Sequence, residues 1–143
     1  MRSDILNVNS SSTFTHKRKV HSINADVTLT NEDSGKVFML DAAGGTVAIT
    51  LPTASTGEDG VYYKFIVEEE TPGNAITIAA GSAIVSFVGL DVSGTAASTA
   101  GTQVSNVIIG TSAQKGDVVE LMFTKGEYVG TALSGINGAI TTS

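Results

Sequence analysis

The feature that most constrains the fold of this chain is a series of short apolar runs that alternate with period two. The run VAITLP at 47–52 alternates large apolar residues with Ala and Thr before a proline ends it, and VYYKFIVE at 61–68 alternates in the same way. Alternation places successive side chains on opposite faces of a strand. No window shows the i, i+3, i+4 stripe that a surface helix of three turns requires. About nine such runs, spaced about ten residues apart, predict an all-β domain, either an antiparallel β-sandwich or a barrel of jelly-roll type.

The connections between these runs carry turn residues. TPGN at 71–74 combines a proline that presets φ with residues that accept positive φ, and DSG at 33–35 is a second turn. The segment 92–103 is rich in Gly, Ala, Ser and Thr, which predicts a long surface loop. The tail TALSGINGAITTS at 131–143 has a similar composition, and both an ordered loop and a disordered end are compatible with it.

The first 22 residues lack periodicity and differ in charge from the rest. We predict that residues 1–22 form an extended N-terminal arm and that residues 23–143 form a single β domain. The chain has a net charge of −6, but four of its eight basic residues lie within the first 19 residues, opposed there by one acid. This segment therefore carries about +3, and the remaining acidic body should repel nucleic acid, whose binding depends on phosphate neutralisation.

The basic cluster of the arm is the candidate binding feature. Phe14, Lys17, Arg18 and Lys19 are the residues that we predict to contact an acidic protein surface. Two alternatives stay open for this cluster: a solvated arm with no partner, and direct contact with nucleic acid. Direct nucleic-acid contact is disfavoured because a single-strand binder interleaves basic residues with several aromatic ones.

Residues that could carry out catalysis are scarce. The two histidines, His16 and His21, both lie in the arm, where no residue is placed to orient an imidazole as a triad requires. Gly44-Gly45 is not followed by the Lys-Ser/Thr of a phosphate loop and is typical of a hairpin connection. The absence of Trp disfavours a carbohydrate cleft with paired carboxylates. We predict that the protein is not an enzyme and binds no cofactor.

Metal sites, disulfides and membrane segments are not indicated either. The chain has no cysteine, and the acidic run at 68–70 alternates in direction and lacks the spacing of a calcium loop. No apolar run reaches the 18 or so residues of a membrane helix, and MRSDILNVN lacks the apolar segment of a secretory signal. The sequence therefore predicts no metal, no membrane contact, and synthesis and folding in a cytoplasm.

One ordered set of segments resembles a known kind of protein. VTLTNEDSGKVFMLDAAGGTVAITLP is followed by GVYYKFIVEE, and GDVVELMFTKGEYVG comes near the end. This order of strands and turns, over about residues 26 to 130, resembles a β-module of tailed-phage virion proteins, notably the small capsid decoration or cement proteins. Related modules occur in phage fibre and tail proteins.

The resemblance implies a structural virion protein that binds the outer surface of a phage capsid and stabilises it by bridging capsid subunits. It implies the major capsid protein as partner, a homotrimer as the assembly state, and the host bacterial cytoplasm as the site of synthesis. The alternative is a receptor- or glycan-binding module of a phage fibre or tail tip. A small glycan hydrolase acting through Glu58 or Asp59 is a third, less favoured interpretation.

Overall fold

The protein folds into two β-sheets that face each other. The computed structural model describes residues 17–70, 72–81, 84–91, 96–98 and 104–143, and for 84–91 and 96–98 it describes the backbone alone. Within these residues the large sheet has seven strands, in the order β1 (Val20–Ile23), β3 (Val37–Leu40), β5 (Tyr62–Val67), β10 (Val118–Thr124), β11 (Glu127–Ser134), β7 (Ile84–Asp91) and β8 (Ala96–Ser98). The small sheet has five, in the order β12 (Ile140–Thr142), β9 (Asn106–Ile109), β6 (Ile76–Ala79), β4 (Val47–Thr50) and β2 (Val27–Thr28).

The first six strands wind as a coil. From β1 to β6 the chain passes alternately to the large and the small sheet. In the large sheet β1, β3 and β5 are consequently parallel neighbours, and in the small sheet β2, β4 and β6 are parallel neighbours. We call residues 20–79 the coil.

The all-β sandwich predicted from the sequence is confirmed, whereas the strand directions differ from the antiparallel, jelly-roll arrangement expected. The sheets are mixed, with parallel pairs in the coil and a further parallel pair between β7 and β11. The reason lies in the turns. A hairpin turn returns the chain to the same sheet in the opposite direction. The turns of the coil carry the chain to the other sheet, and a second crossing restores its original direction.

Antiparallel pairing begins where the coil ends. β10 pairs with β5 on one side and β11 on the other, and β9 lies between β6 and β12, all antiparallel. The β10–β11 hairpin closes through Lys125 and Gly126, whose φ angles are 51° and 84°. Two successive positive φ values give the type I′ turn, whose twist matches that of the strands.

The core lies between the two sheets and contains an aromatic cluster. The rings of Phe38 and Phe65 stack with centroids 5.5 Å apart, and Phe123 meets Tyr128 edge to face at 5.0 Å. Two buried tyrosines donate hydrogen bonds from their hydroxyls to carbonyl oxygens of loops. Tyr63 donates to Thr30 at 2.8 Å and Tyr128 donates to Pro52 at 2.9 Å. These bonds fix the loops after β2 and β4 to the core, since a buried hydroxyl without a partner is costly.

Gly130 marks a close approach within the large sheet. It pairs with Leu121 across the β10–β11 hairpin. A Cβ atom added at position 130 would lie 2.2 Å from Leu121 Cδ2 and 2.7 Å from the carbonyl oxygen of Glu120. The glycine is therefore required by the space that Leu121 fills.

Three sequence-predicted segments differ in the structure. Strand β1 begins at Val20, so the last three residues assigned to the arm belong to the large sheet. The tail is ordered through β12, because three of its residues complete the backbone hydrogen bonds of β9. In the predicted long loop at 92–103, residues 96–98 form β8 against β7, and residues 92–95 and 99–103 lie outside the described residues.

Candidate interaction surfaces

The predicted capsid-contact residues lie at the edge of the large sheet. Lys17, Arg18 and Lys19 are exposed and lead directly into the edge strand β1, while Phe14 lies outside the described residues. The carbonyl oxygen of Lys19 accepts a hydrogen bond from the backbone N–H of Val37 at 2.9 Å, which fixes where the segment leaves the sheet. The structure thus places three of the four predicted residues together on one edge.

Arg18 already has an intramolecular contact. Its guanidinium carbon lies 5.7 Å from the centre of the Tyr62 ring, a distance at which cation–π attraction operates. Arg18 is therefore held over the outward-facing side of β5. Lys17 and Lys19 carry the exposed positive charge of this edge.

Charges on the outward side of the large sheet compensate one another. Lys64 on β5 forms an ion pair with Glu120 on β10, with Nζ and Oε1 2.8 Å apart. The hydrogen bonds from Lys64 and then Tyr62 lower the pKa of Glu120 below its ordinary value of 4.5. Burial, and after it the hydrogen bond and charge of Glu120, raises the pKa of Tyr62 above its ordinary value of 10.0. The pair therefore remains ionised at neutral pH and adds no net charge to the surface.

An apolar row crosses the same outward side. The strand registers align Met39, Ile66, Val118 and Leu133 on four adjacent strands, and Leu90 of β7 pairs with Leu133. We call the first four residues the apolar row. Leu133 is 54% exposed, and the other three are half-buried.

Further apolar residues extend this surface. Val20 is 62% exposed and Met122 is 44% exposed, and Val37 and Val129 are half-buried beside them. The outward side of the large sheet within the described strands, which we call the outer face, therefore combines eight apolar side chains with a neutralised ion pair.

The small sheet presents a different outward side. Its outward positions on β4 and β6 are Ala48, Thr50, Thr77 and Ala79, and the one large apolar residue at such a position on the described strands of this sheet is Ile108 on β9. Small and hydroxyl-bearing side chains suit a strand face in water. The contrast within one molecule indicates that the outer face of the large sheet is suited to contact with another surface.

A small cavity lies at the β2 edge of the small sheet. It has a volume of about 270 Å³ and is lined by threonines from the loops after β2 and β4 together with Leu29, Leu51 and Pro52. Asn31 is also part of the lining; its Nδ2 donates to the Thr56 carbonyl at 2.8 Å. Within the described residues, the Asn31 Oδ1 atom is buried and receives no hydrogen bond. The cavity could accept a small group that carries a donor.

Two of the described acidic residues, Asp117 and Asp59, serve local structure. Asp117 is buried and accepts hydrogen bonds from the Ser134 hydroxyl and the Gly135 N–H, both at 2.7 Å, and from the Gln114 N–H at 3.0 Å. It ties the loop before β10 to the end of β11. Asp59, named above in the hydrolase interpretation, is exposed and accepts from the Lys125 N–H at 2.7 Å, which supports the β10–β11 turn.

The acidic run at 68–70 does not gather metal ligands. In the part of the chain that the structure describes, no group of three or more His, Asp or Glu side chains could hold a metal ion. The side chains of Glu69 and Asp41 share a hydrogen bond, which requires one of the two carboxyls to be protonated. This hydrogen bond raises the pKa of Glu69. The run is a solvent-exposed strand end with one acid paired to a neighbouring turn.

The sequence indicated the basic edge but not the outer face. A signal for the outer face is present, because VFML at 37–40 and VVELMF at 118–123 are apolar at positions of both parities, so that both sides of each strand carry apolar residues.

Among the described residues, no helix is long and apolar enough to span a bilayer. Comparisons with protein-family models and with curated proteins find no match.

Proposed function

We propose that this chain is a non-enzymatic structural protein of a tailed-phage virion, one that binds the outer surface of the capsid as a homotrimer and bridges neighbouring capsid subunits. One observation carries the proposal. Two of the three segments that resemble the phage decoration module, at 27–52 and 60–69, lie in the coil, and the third, at 116–130, contains the β10–β11 hairpin, whose strand β10 pairs with β5 of the coil. The resembling segments are therefore one structural unit.

The geometry fits attachment to a larger assembly. A coil packed on a single aromatic core, with its loops held by buried tyrosine hydroxyls, keeps its shape under load. The basic segment leaves this body at one edge, where Lys17 and Lys19 can reach an acidic patch of the major capsid protein. Several copies joined in one oligomer would bind in concert, so that modest contacts sum to durable attachment.

The test of attachment is co-sedimentation of the purified protein with capsids that lack it. We expect the double variant Lys17→Ser, Lys19→Ser to bind more weakly, on the order of tenfold at physiological salt, with the difference shrinking as salt screens the charges. The matched control, Lys115→Ser with Lys125→Asn, removes the same charge from other exposed sites and keeps a residue that tolerates positive φ at 125.

Two outcomes would count against this account in different ways. Equal binding by the double variant and the control would remove the basic segment from the contact but leave the decoration role. No binding of the unaltered protein to the capsids of the phage that encodes it would overturn the decoration role itself.

A second candidate function, glycan recognition by a fibre or tail-tip module, is favoured by the cavity at the β2 edge. Threonine hydroxyls and the unpaired Oδ1 of Asn31 could bind sugar hydroxyls there. It ranks second because few aromatic side chains are present to stack on sugar rings: the chain has no Trp and only three Tyr. Binding on a glycan array that is abolished by Asn31→Ala would support it, and the absence of any glycan signal would exclude it.

A further inference from the structure

The outer face of the large sheet is the surface of this protein that most needs an explanation. Leu133 and Met122 are about half exposed, although a soluble monomer would gain nothing from exposing them. The apolar row brings four large side chains together on adjacent strands, ~4.8 Å apart. An unbroken apolar row of this kind is the form that an interface core takes.

We propose that the outer face is the surface through which copies of this chain pack against one another, with the apolar row at the centre of the contact. The proposed function includes an oligomer, and this inference rests on it only for the expectation that copies associate. The choice of surface comes from the residues of the outer face.

Charge favours a second copy as the occupant. The chain has a net charge of −6, so two copies repel each other when they approach through most of their surface. On the outward side of the large sheet, the cations Arg18 and Lys64 nearly balance three acids, which are Glu120, Glu127 and, at the margin, Glu68, which accepts a hydrogen bond from the Ser22 hydroxyl. A nearly neutral face suits contact with an identical chain and gives a strongly acidic or basic partner little complementary charge.

Area is compatible with a stable contact. Five strands at ~4.8 Å spacing with about six residues each at ~3.3 Å cover on the order of 500 Å² in projection. The accessible area of a ridged sheet face exceeds its projection, and β7 widens the sheet further. The outer face can therefore supply most of the roughly 800 Å² per partner that a stable interface buries.

The test is sedimentation velocity of the purified protein over a range of concentrations, without any phage particle. We expect the unaltered chain to form an oligomer. In the double variant Met122→Glu, Leu133→Glu, the dissociation constant of that oligomer should be raised on the order of tenfold or more. Both side chains are exposed in the single chain, so the variant should keep its fold, which circular dichroism checks. The control is Ile108→Glu on the small sheet, expected to sediment like the unaltered protein.

A second measurement does not depend on disrupting the contact. Because the chain has no cysteine, Thr131→Cys and Thr77→Cys each introduce a single thiol, one on each sheet's outward side. We expect maleimide labelling of the Thr131→Cys thiol to slow at concentrations where the oligomer forms, and labelling of the Thr77→Cys thiol to stay constant.

Other occupants of the outer face give different results. A protein that stays monomeric at all concentrations would overturn the inference. It would also be overturned if the chain lacking residues 1–16 oligomerised while the full chain did not, because those residues would then cover the face. An oligomer unaffected by the double variant would likewise place the contact elsewhere. A monomer that still binds capsids would refute this inference and the homotrimer but leave the decoration role, and an oligomer that binds no capsid would refute the decoration role but leave this inference.

Discussion

Replacement of Gly130 by alanine tests the strand register at the centre of the large sheet. On backbone entropy alone, alanine should stabilise a strand by about 0.5–1 kcal/mol relative to glycine. At this position the new Cβ would lie 2.2 Å from Leu121 Cδ2, well inside the ~3.5–4.0 Å of an ordinary carbon contact. It would also lie 2.7 Å from the Glu120 carbonyl oxygen, which belongs to the backbone and cannot rotate away.

Steric overlap should therefore outweigh the entropic gain. Overpacking of a core costs about 1–3 kcal/mol, and here part of the overlap can be relieved only by moving the β10–β11 pair. We expect Gly130→Ala to lower the free energy of unfolding by about 1–3 kcal/mol, which corresponds to a fall in Tm of roughly 3–10 °C for a chain of this size. Urea unfolding and thermal circular dichroism, at one fixed protein concentration, measure both quantities.

A control and a coupled variant sharpen this test. Gly44→Ala adds the same methyl group where no heavy atom lies within 4 Å and φ is not positive, so it should be neutral or stabilise by about 0.4–1 kcal/mol. In a Leu121→Ala background, Gly130→Ala should cost less than in the parent, because one of its two overlaps has gone. An unchanged or raised stability of Gly130→Ala in the parent would refute the register that pairs these two residues.

Two further predictions concern hydrogen bonds and pH. Tyr128→Phe should cost about 1–3 kcal/mol in urea unfolding, because it leaves the Pro52 carbonyl buried without its donor; a neutral effect would show that this hydroxyl is not needed to hold the loop. The pKa of Glu120 is lowered in the folded state, so its contribution to stability is present above its ordinary value of 4.5 and is lost as pH falls through the lower, folded value. The Tm of the unaltered protein should therefore exceed that of Glu120→Gln at pH 7, and the difference should close on acidification toward pH 3, whereas a difference independent of pH would contradict the role of the Lys64 ion pair.

Period-two alternation was sufficient to predict the class of fold and the position of most strands. The runs at 47–52 and 61–68 are strands β4 and β5 with alternate residues buried, as expected from their patterns. Strand direction was not predictable in the same way. A turn such as DSG at 33–35 has the same residues whether it closes a hairpin or carries the chain across to the opposite sheet. Long-range packing, which decides between the two, leaves no local signal.

The ends of the chain show a similar limit. The tail at 131–143 has the composition of a loop, yet Ile140 is buried and its strand completes the small sheet. The tail is ordered by its backbone hydrogen bonds with β9. These bonds depend on the tertiary fold, so the amino-acid composition of the tail does not predict them. At the other end, the basic cluster was identified from charge alone, but the contact of Arg18 with Tyr62 depends on the pairing of β1 in the sheet.

The proposed virion role is tested most directly by electron cryo-microscopy of the phage particle to which this chain is proposed to belong. We expect density for the two-sheet body on the outer surface of the head, in clusters of several copies, with the edge that carries Lys17 and Lys19 against the shell. Heads bare of this density, with the same body found in the tail or fibres, would contradict it.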